Sequence, residues 1–155
     1  MRLVLDTNAV LDWLLFRDST LQPLSVAIRQ QRVSLVVNER TLDELQRVLQ
    51  YPKFELQAQR QQLIFRQYTE VAQPFTNYAD RGVMPQGFPR CRDPDDDHFV
   101  ALAYRARADA LVSKDRQVLK LRKRAAKFGV SVLTPAQLML VGAVAAVSEE
   151  ITGDG

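Results

Sequence analysis

Short apolar runs alternate with longer stretches of helical periodicity along the chain. The stretch "RLVLD" (2–6) is an apolar run that stops at an acid. Val10, Leu11, Leu14 and Leu15 follow at the spacing of one helix face. Three more strand candidates are "RVSLVV" (32–37), "DALVS" (109–113) and "GVSVL" (129–133). The last ends at Thr134-Pro135, a helix N-cap and its first helical position. Helical patterns cover 20–31, 39–50, 53–72, 95–107 and 135–147. Strands separated by helices predict parallel βα units, hence a three-layer α/β/α fold with a central parallel sheet covered on both faces. The segment 74–92, with Pro74, Gly82, Pro85, Gly87 and Pro89, predicts a loop that carries the chain back across the molecule. No repeat or linker interrupts the pattern. A single domain over 1–147 is expected, followed by a flexible tail over 148–155.

Composition narrows this picture only a little. The chain has 155 residues, 46% hydrophobic and 25% charged, which is ordinary for a soluble globular domain with a sizeable core. No apolar run approaches the roughly 18 residues that a membrane span needs. The stretch "MRLVLDTNAV" carries an acid at position 6 and no small-residue cleavage pattern, so it does not read as a signal peptide. One cysteine, Cys91, excludes an internal disulfide and fits a reducing cytoplasm.

Charge changes the picture more. In open parallel sheets, ligands bind beyond the carboxyl ends of the strands. Asp6 ends the first strand candidate, and Asp115 lies two residues beyond the third. Glu44 lies on the helix after the second strand, with Asn38 as its N-cap, and Asp97 opens the helix before the third. Four acids far apart in sequence are thereby expected at one edge of the sheet. The run "RDPDDDHF" (92–99) sharpens the point, because Asp93, Asp95, Asp96 and Asp97 crowd into five positions. A helix cap with Asp93 at its head and Pro94 next accounts for one or two of them. A calcium loop of the EF-hand kind fails, since His98 and Tyr104 stand where glycine and glutamate are needed. Zinc fails as well, since Cys91 and His98 are the only soft ligands. A carboxylate-lined site suits a hard cation, Mg²⁺ or Mn²⁺.

The ordering of these motifs resembles the PIN-domain nucleases. The resemblance is carried by "DTN" (6–8), "TLDELQRVL" (41–49), "DPDDDHFVALA" (93–103) and "ADALVSKD" (108–115), and it runs from Met1 to about Leu140. The "DPDDD" run is similar to the branch of toxins from bacterial toxin–antitoxin pairs. The resemblance implies a PIN-like fold and a metal centre of Asp6, Glu44, Asp97 and Asp115, which are also the catalytic acids, with Asn8 and Ser113 as accessory groups. The third acid of the family stands 18 positions before the fourth, which selects Asp97, with Asp96 and Asp93 as substitutes. It further implies an RNA substrate, a cognate antitoxin that covers the site, and a homodimer, for which the apolar 138–147 helix and Trp13, itself read as core or a protein interface, offer surfaces.

The chemistry is consistent with that assignment. Hydrolysis of a phosphodiester needs an activated water and positive charge on the phosphoryl oxygens, and divalent ions held by carboxylates supply both. Metal-free cleavage through a 2′-hydroxyl usually wants two histidines. This chain has only His98, read here as facing solvent. A nucleic acid also needs a basic surface. Net charge is only +3, yet "KDRQVLKLRKRAAK" (114–127) holds seven basic residues and one acid. Arg116, Lys120, Arg122, Lys123, Arg124 and Lys127 are candidate phosphate contacts, with Arg40, Arg47 and Lys53 as an opposite bank. Tyr51 and Phe54 read as packing residues. Two other functions are compatible with the acids: a binding module that docks a basic partner segment, and a phosphatase with Asp6 as nucleophile. The second fits poorly, since Asn8 stands where a second aspartate belongs.

Overall fold

The structure, a computed structural model, describes residues 1–76, 84–90 and 94–145, and for 94–96 the backbone alone. Five parallel strands form one sheet: β1 (Arg2–Leu5), β2 (Ser34–Val37), β3 (Ala72–Pro74), β4 (Ala110–Val112) and β5 (Ser131–Leu133). Their order is β3-β2-β1-β4-β5. The helices are α1 (Thr7–Leu14), α2 (Gln22–Arg29), α3 (Glu39–Leu49), α4 (Ala58–Val71), α5 (Pro94–Arg105), α6 (Arg116–Leu119), α7 (Arg122–Ala126) and α8 (Pro135–Leu138).

Side chains alternate across a strand, and the alternation builds two cores. Leu3, Leu5, Leu35, Val37, Ala110 and Val112 face one way, where α1, α2, α3 and α4 cover them with Val10, Trp13, Leu24, Leu45, Ile64 and Tyr68. Val4, Val36, Leu111 and Val132 face the other, against Phe99, Leu102 and Ala103 of α5 and Val118, Leu121 and Ala125 of the α6–α7 region. The three-layer α/β/α architecture follows. β1 sits at the centre, with Leu3 opposite both Leu35 and Ala110. The strand order reverses between β1 and β4, so this junction is the switch point of the sheet, where a crevice opens.

Two expectations need correction. The sheet has a fifth strand, β3, in residues read from the sequence as the end of a helix and the start of a loop. It is a short edge strand, a position where a proline such as Pro74 costs no internal ladder bond. The 135–147 helix is interrupted at Met139–Val141, and helix resumes over 142–145. The break leaves Leu140 83% exposed while Leu138 and Val144 are buried. Of the two readings of Trp13, core or interface, the core holds: its indole N–H donates to Ser25 Oγ at 2.8 Å and its ring is edge-on to Tyr68, so it offers no dimer surface. Phe54 packs against Phe16, as a packing residue should. Among the described residues no helix is long and apolar enough to cross a membrane. The tail over 148–155 and Cys91 lie outside the described residues.

Candidate active site

Asp6 leaves β1 in register, its N–H donating to the Val112 carbonyl at 3.0 Å, and then serves as N-cap of α1. Its Oδ1 accepts from the backbone N–H of Asn8 at 2.7 Å and of Ala9 at 3.3 Å. Its Oδ2 accepts from the Ser113 hydroxyl at 2.6 Å. Asp6 is 5% exposed and Ser113 is fully buried. Burial pushes the Asp6 carboxyl above the usual aspartate range; the bonds from Ser113, Asn8 and Ala9 offset part of this, and the charge of Asp115 adds to it. Asn8 touches Asp6 through its backbone, with its side chain exposed.

The end of β4 brings the second acid close. Ser113 Oγ accepts from the Asp115 N–H at 3.0 Å while its hydrogen goes to Asp6, so one hydroxyl bridges the two acidic positions. Asp115 caps α6, its Oδ1 accepting from Gln117 N–H at 2.7 Å. Lys114, between them, pairs with Asp12 of α1 at 2.6 Å and ties the α1 face to the β4 end. That pairing holds the Lys114 ammonium above its ordinary range.

The third group lies across α1, α3 and α5. Asn38 and Thr41 close a capping box that starts α3. One turn further, Glu44 Oε2 accepts from the hydroxyl of Thr7, and His98 Nε2 lies 3.3 Å from Oε1. Burial alone would raise the Glu44 carboxyl, but the bonds from His98 and Thr7 and the charge of Arg47 outweigh it and hold the group low. Glu44 and His98 line a cleft of about 220 Å³ together with Arg40, Asp43 and Arg47. His98 was expected to face solvent; it is buried, because α5 packs on the sheet and also against α3. Asp97, partly buried, stands beside it in the first turn of α5. Asp93, and the side chain of Asp96, lie outside the described residues.

Among the described residues no three acids or other ligating side chains converge into a ready-made metal cage. The donors that do approach one another are carboxylates, and Mg²⁺ takes only one or two of these while keeping several waters. Asp6 and Asp115, bridged by Ser113 and each unfavourable to the other's charge, are a pair that could hold such an ion. Glu44, on α3, is linked to this segment through Thr7, the residue after Asp6, and Asp97 lies in the first turn of α5.

The basic stretch divides into two short helices, and its residues do not behave alike. Arg116, Lys120, Lys123, Arg124 and Lys127 are exposed, as are Arg40, Arg47 and Lys53. Arg122 instead donates to the Val132 carbonyl at 3.0 Å and to Gln137 Oε1 at 2.8 Å, clamping α7 to the β5 end and the start of α8.

A family model, described as PIN domain, matches residues 2–117, a span that contains Asp6, Glu44, Asp97 and Asp115. The chain belongs to the PIN-domain family, whose members are generally nucleases and so act on nucleic acid. Comparison with curated proteins finds no match, and comparison with solved structures finds none.

The raised Asp6 carboxyl has a consequence for stability. Below the unfolded-state value of 3.8 both states hold the proton and no penalty exists. As pH rises, the unfolded chain ionises first, so stability falls until the folded carboxyl also ionises, and the loss then persists. Asp6→Asn should therefore raise the thermal midpoint of the metal-free protein near pH 7, by a few degrees if about 1 kcal/mol is relieved. The gain should vanish at pH 3. Scanning calorimetry in chelator checks it, and a lower midpoint at pH 7 would mean that a cation of the chain already neutralises Asp6.

Proposed function

We propose that the chain is a divalent-metal-dependent ribonuclease, the toxin component of a toxin–antitoxin pair. The observation that supports this best is the pairing of a buried, upward-shifted Asp6 with Asp115 at the switch point of a PIN-domain sheet. Burying a carboxylate and setting a second beside it opposes folding, and a cation reverses both effects at once. In this reading Asp6 and Asp115 hold Mg²⁺ or Mn²⁺, and Glu44 and Asp97 complete the acidic centre. Ser113 fixes the Asp6–Asp115 separation, and Asn8 supports Asp6 through its N–H. The ion, when bound, supplies an activated water and offsets charge developing on the phosphoryl oxygens. RNA as the substrate and a cognate antitoxin as the partner rest on the resemblance to the "DPDDD" branch.

Exposed cations on the segments that follow Asp115 and surround Glu44 support the same reading. Arg116, Lys120, Lys123, Arg124 and Lys127 follow Asp115, and Arg40 and Arg47 flank Glu44. Contacts of this kind position a backbone without reading its sequence.

Two outcomes are expected. Purified chain should cleave RNA with Mg²⁺ or Mn²⁺, stop in chelator, fall silent as Asp6→Asn, and leave 5′-phosphate and 3′-hydroxyl ends, because water is the nucleophile. Cyclic-phosphate products, read by end-labelling, would refute the mechanism. In the Asp6→Asn background, exchanging Lys123, Arg124 and Lys127 for glutamine should weaken single-stranded RNA binding and flatten log affinity against log salt by about 0.7 per lost contact. Arg122→Gln should instead lower the thermal midpoint and leave that slope alone, since its guanidinium holds protein groups. A slope unmoved by the triple change would put the RNA path along Arg40 and Arg47.

A further inference from the structure

His98 is the only histidine of the chain, and its side chain is 5% exposed. Its ring lies tilted against that of Phe99, with centroids 4.1 Å apart, and its Nε2 meets Glu44 Oε1. Its Nδ1 is buried and has no hydrogen-bond partner among the described residues. A buried imidazole with one nitrogen unsatisfied costs stability, whereas an apolar side chain of similar size would fill the same space without that cost. A local rule broken in this way is expected where a site requires it.

The requirement here is the orientation of Glu44. Each oxygen of a carboxylate has about two acceptor positions. Thr7, from α1, occupies one on Oε2, and His98, from α5, occupies one on Oε1. A carboxylate on α3 is thus gripped from two other helices, its plane fixed and one acceptor position on each oxygen left open. Thr7 directly follows Asp6, and His98 directly follows Asp97, so the grip joins the segments that carry three of the four acids. We propose that His98 is a positioning residue of the metal centre, which with Thr7 holds the Glu44 carboxylate in the orientation that the cation requires. The inference rests on the nuclease reading and adds to it a residue outside the four acids.

Groups that orient carboxylates at metal centres typically change metal affinity or activity by about 10–100-fold when removed. His98→Leu, which keeps bulk and removes the donor, should weaken Mn²⁺ binding by roughly that factor in calorimetry without RNA. Cleavage lost at low Mn²⁺ should return at saturating Mn²⁺, with KM for RNA little changed. His98→Gln, whose amide N–H can reach the place of Nε2, should recover most of the affinity. In a Glu44→Gln background His98→Leu should cost nothing further, because the partner it acts through is gone. Thr7→Val removes the opposite donor and carries the same test should His98→Leu fail to fold. The proposal is overturned if His98→Leu lowers the thermal midpoint but leaves Mn²⁺ affinity unchanged, or if its cost is equal with and without Glu44. A wild-type chain that neither binds Mn²⁺ nor cleaves RNA would overturn the nuclease reading itself, which is a different result from a competent wild type beside an unaffected His98→Leu.

Discussion

The Asp6 carboxylate is held out of water at the end of the central strand, and the surrounding structure is arranged to tolerate it. Two backbone N–H groups at the start of α1 and the hydroxyl of Ser113 satisfy its oxygens. These bonds offset only part of the cost of burial, and the proximity of Asp115 adds to what is left. A protein can carry such a group in two ways: it can keep the carboxyl protonated, or it can reserve the place for a cation. Membership of a family of nucleases favours the second.

From Asp6 the rest of the centre is reached by short connections. Ser113 carries the link to the β4 end and to Asp115, while Thr7 carries it to Glu44 on α3 and on to His98 on α5. Lys114 and Asp12 close the arrangement on its other side. The parallel sheet is what makes these links short. Its order reverses between β1 and β4, so the helices that follow these strands pack on opposite faces, and Asp6 and Asp115 both lie just past the ends of these two adjacent strands. The two cores on either face fix the strands, and the N-caps fix the acids relative to the strands.

Much of this was legible in the sequence because it follows from periodicity and from caps. Four strands, the βα alternation and the placement of Asp6 and Asp115 beyond strand ends are all local patterns. The fifth strand was not legible: three residues containing Gln73 and Pro74 show neither alternation nor β-branching, and only the neighbouring β2 makes them a strand. The burial of His98 escaped for a related reason. α5 is covered by the sheet and also approached by α3, so a polar residue on its flank is enclosed by an element some fifty residues away, 54 positions between His98 and Glu44. Arg122 reads as one more cation in a basic run, and only the carbonyl of Val132 and the amide of Gln137 give it a different task. What the sequence hides, in each case, is a partner distant along the chain.

The central claim is that the Asp6–Asp115 pair is completed by a divalent ion. Its most direct test is the thermal midpoint of the wild-type chain and of Asp115→Asn across a series of Mg²⁺ concentrations at constant ionic strength. A ligand that binds only the folded state stabilises it by RT ln(1 + [L]/Kd), so the wild-type midpoint should climb with the logarithm of Mg²⁺ once Kd is passed. Asp115→Asn should begin higher in chelator, relieved of repulsion, and then stay flat. A wild-type midpoint that does not move with Mg²⁺ or Mn²⁺ at any concentration would contradict the account.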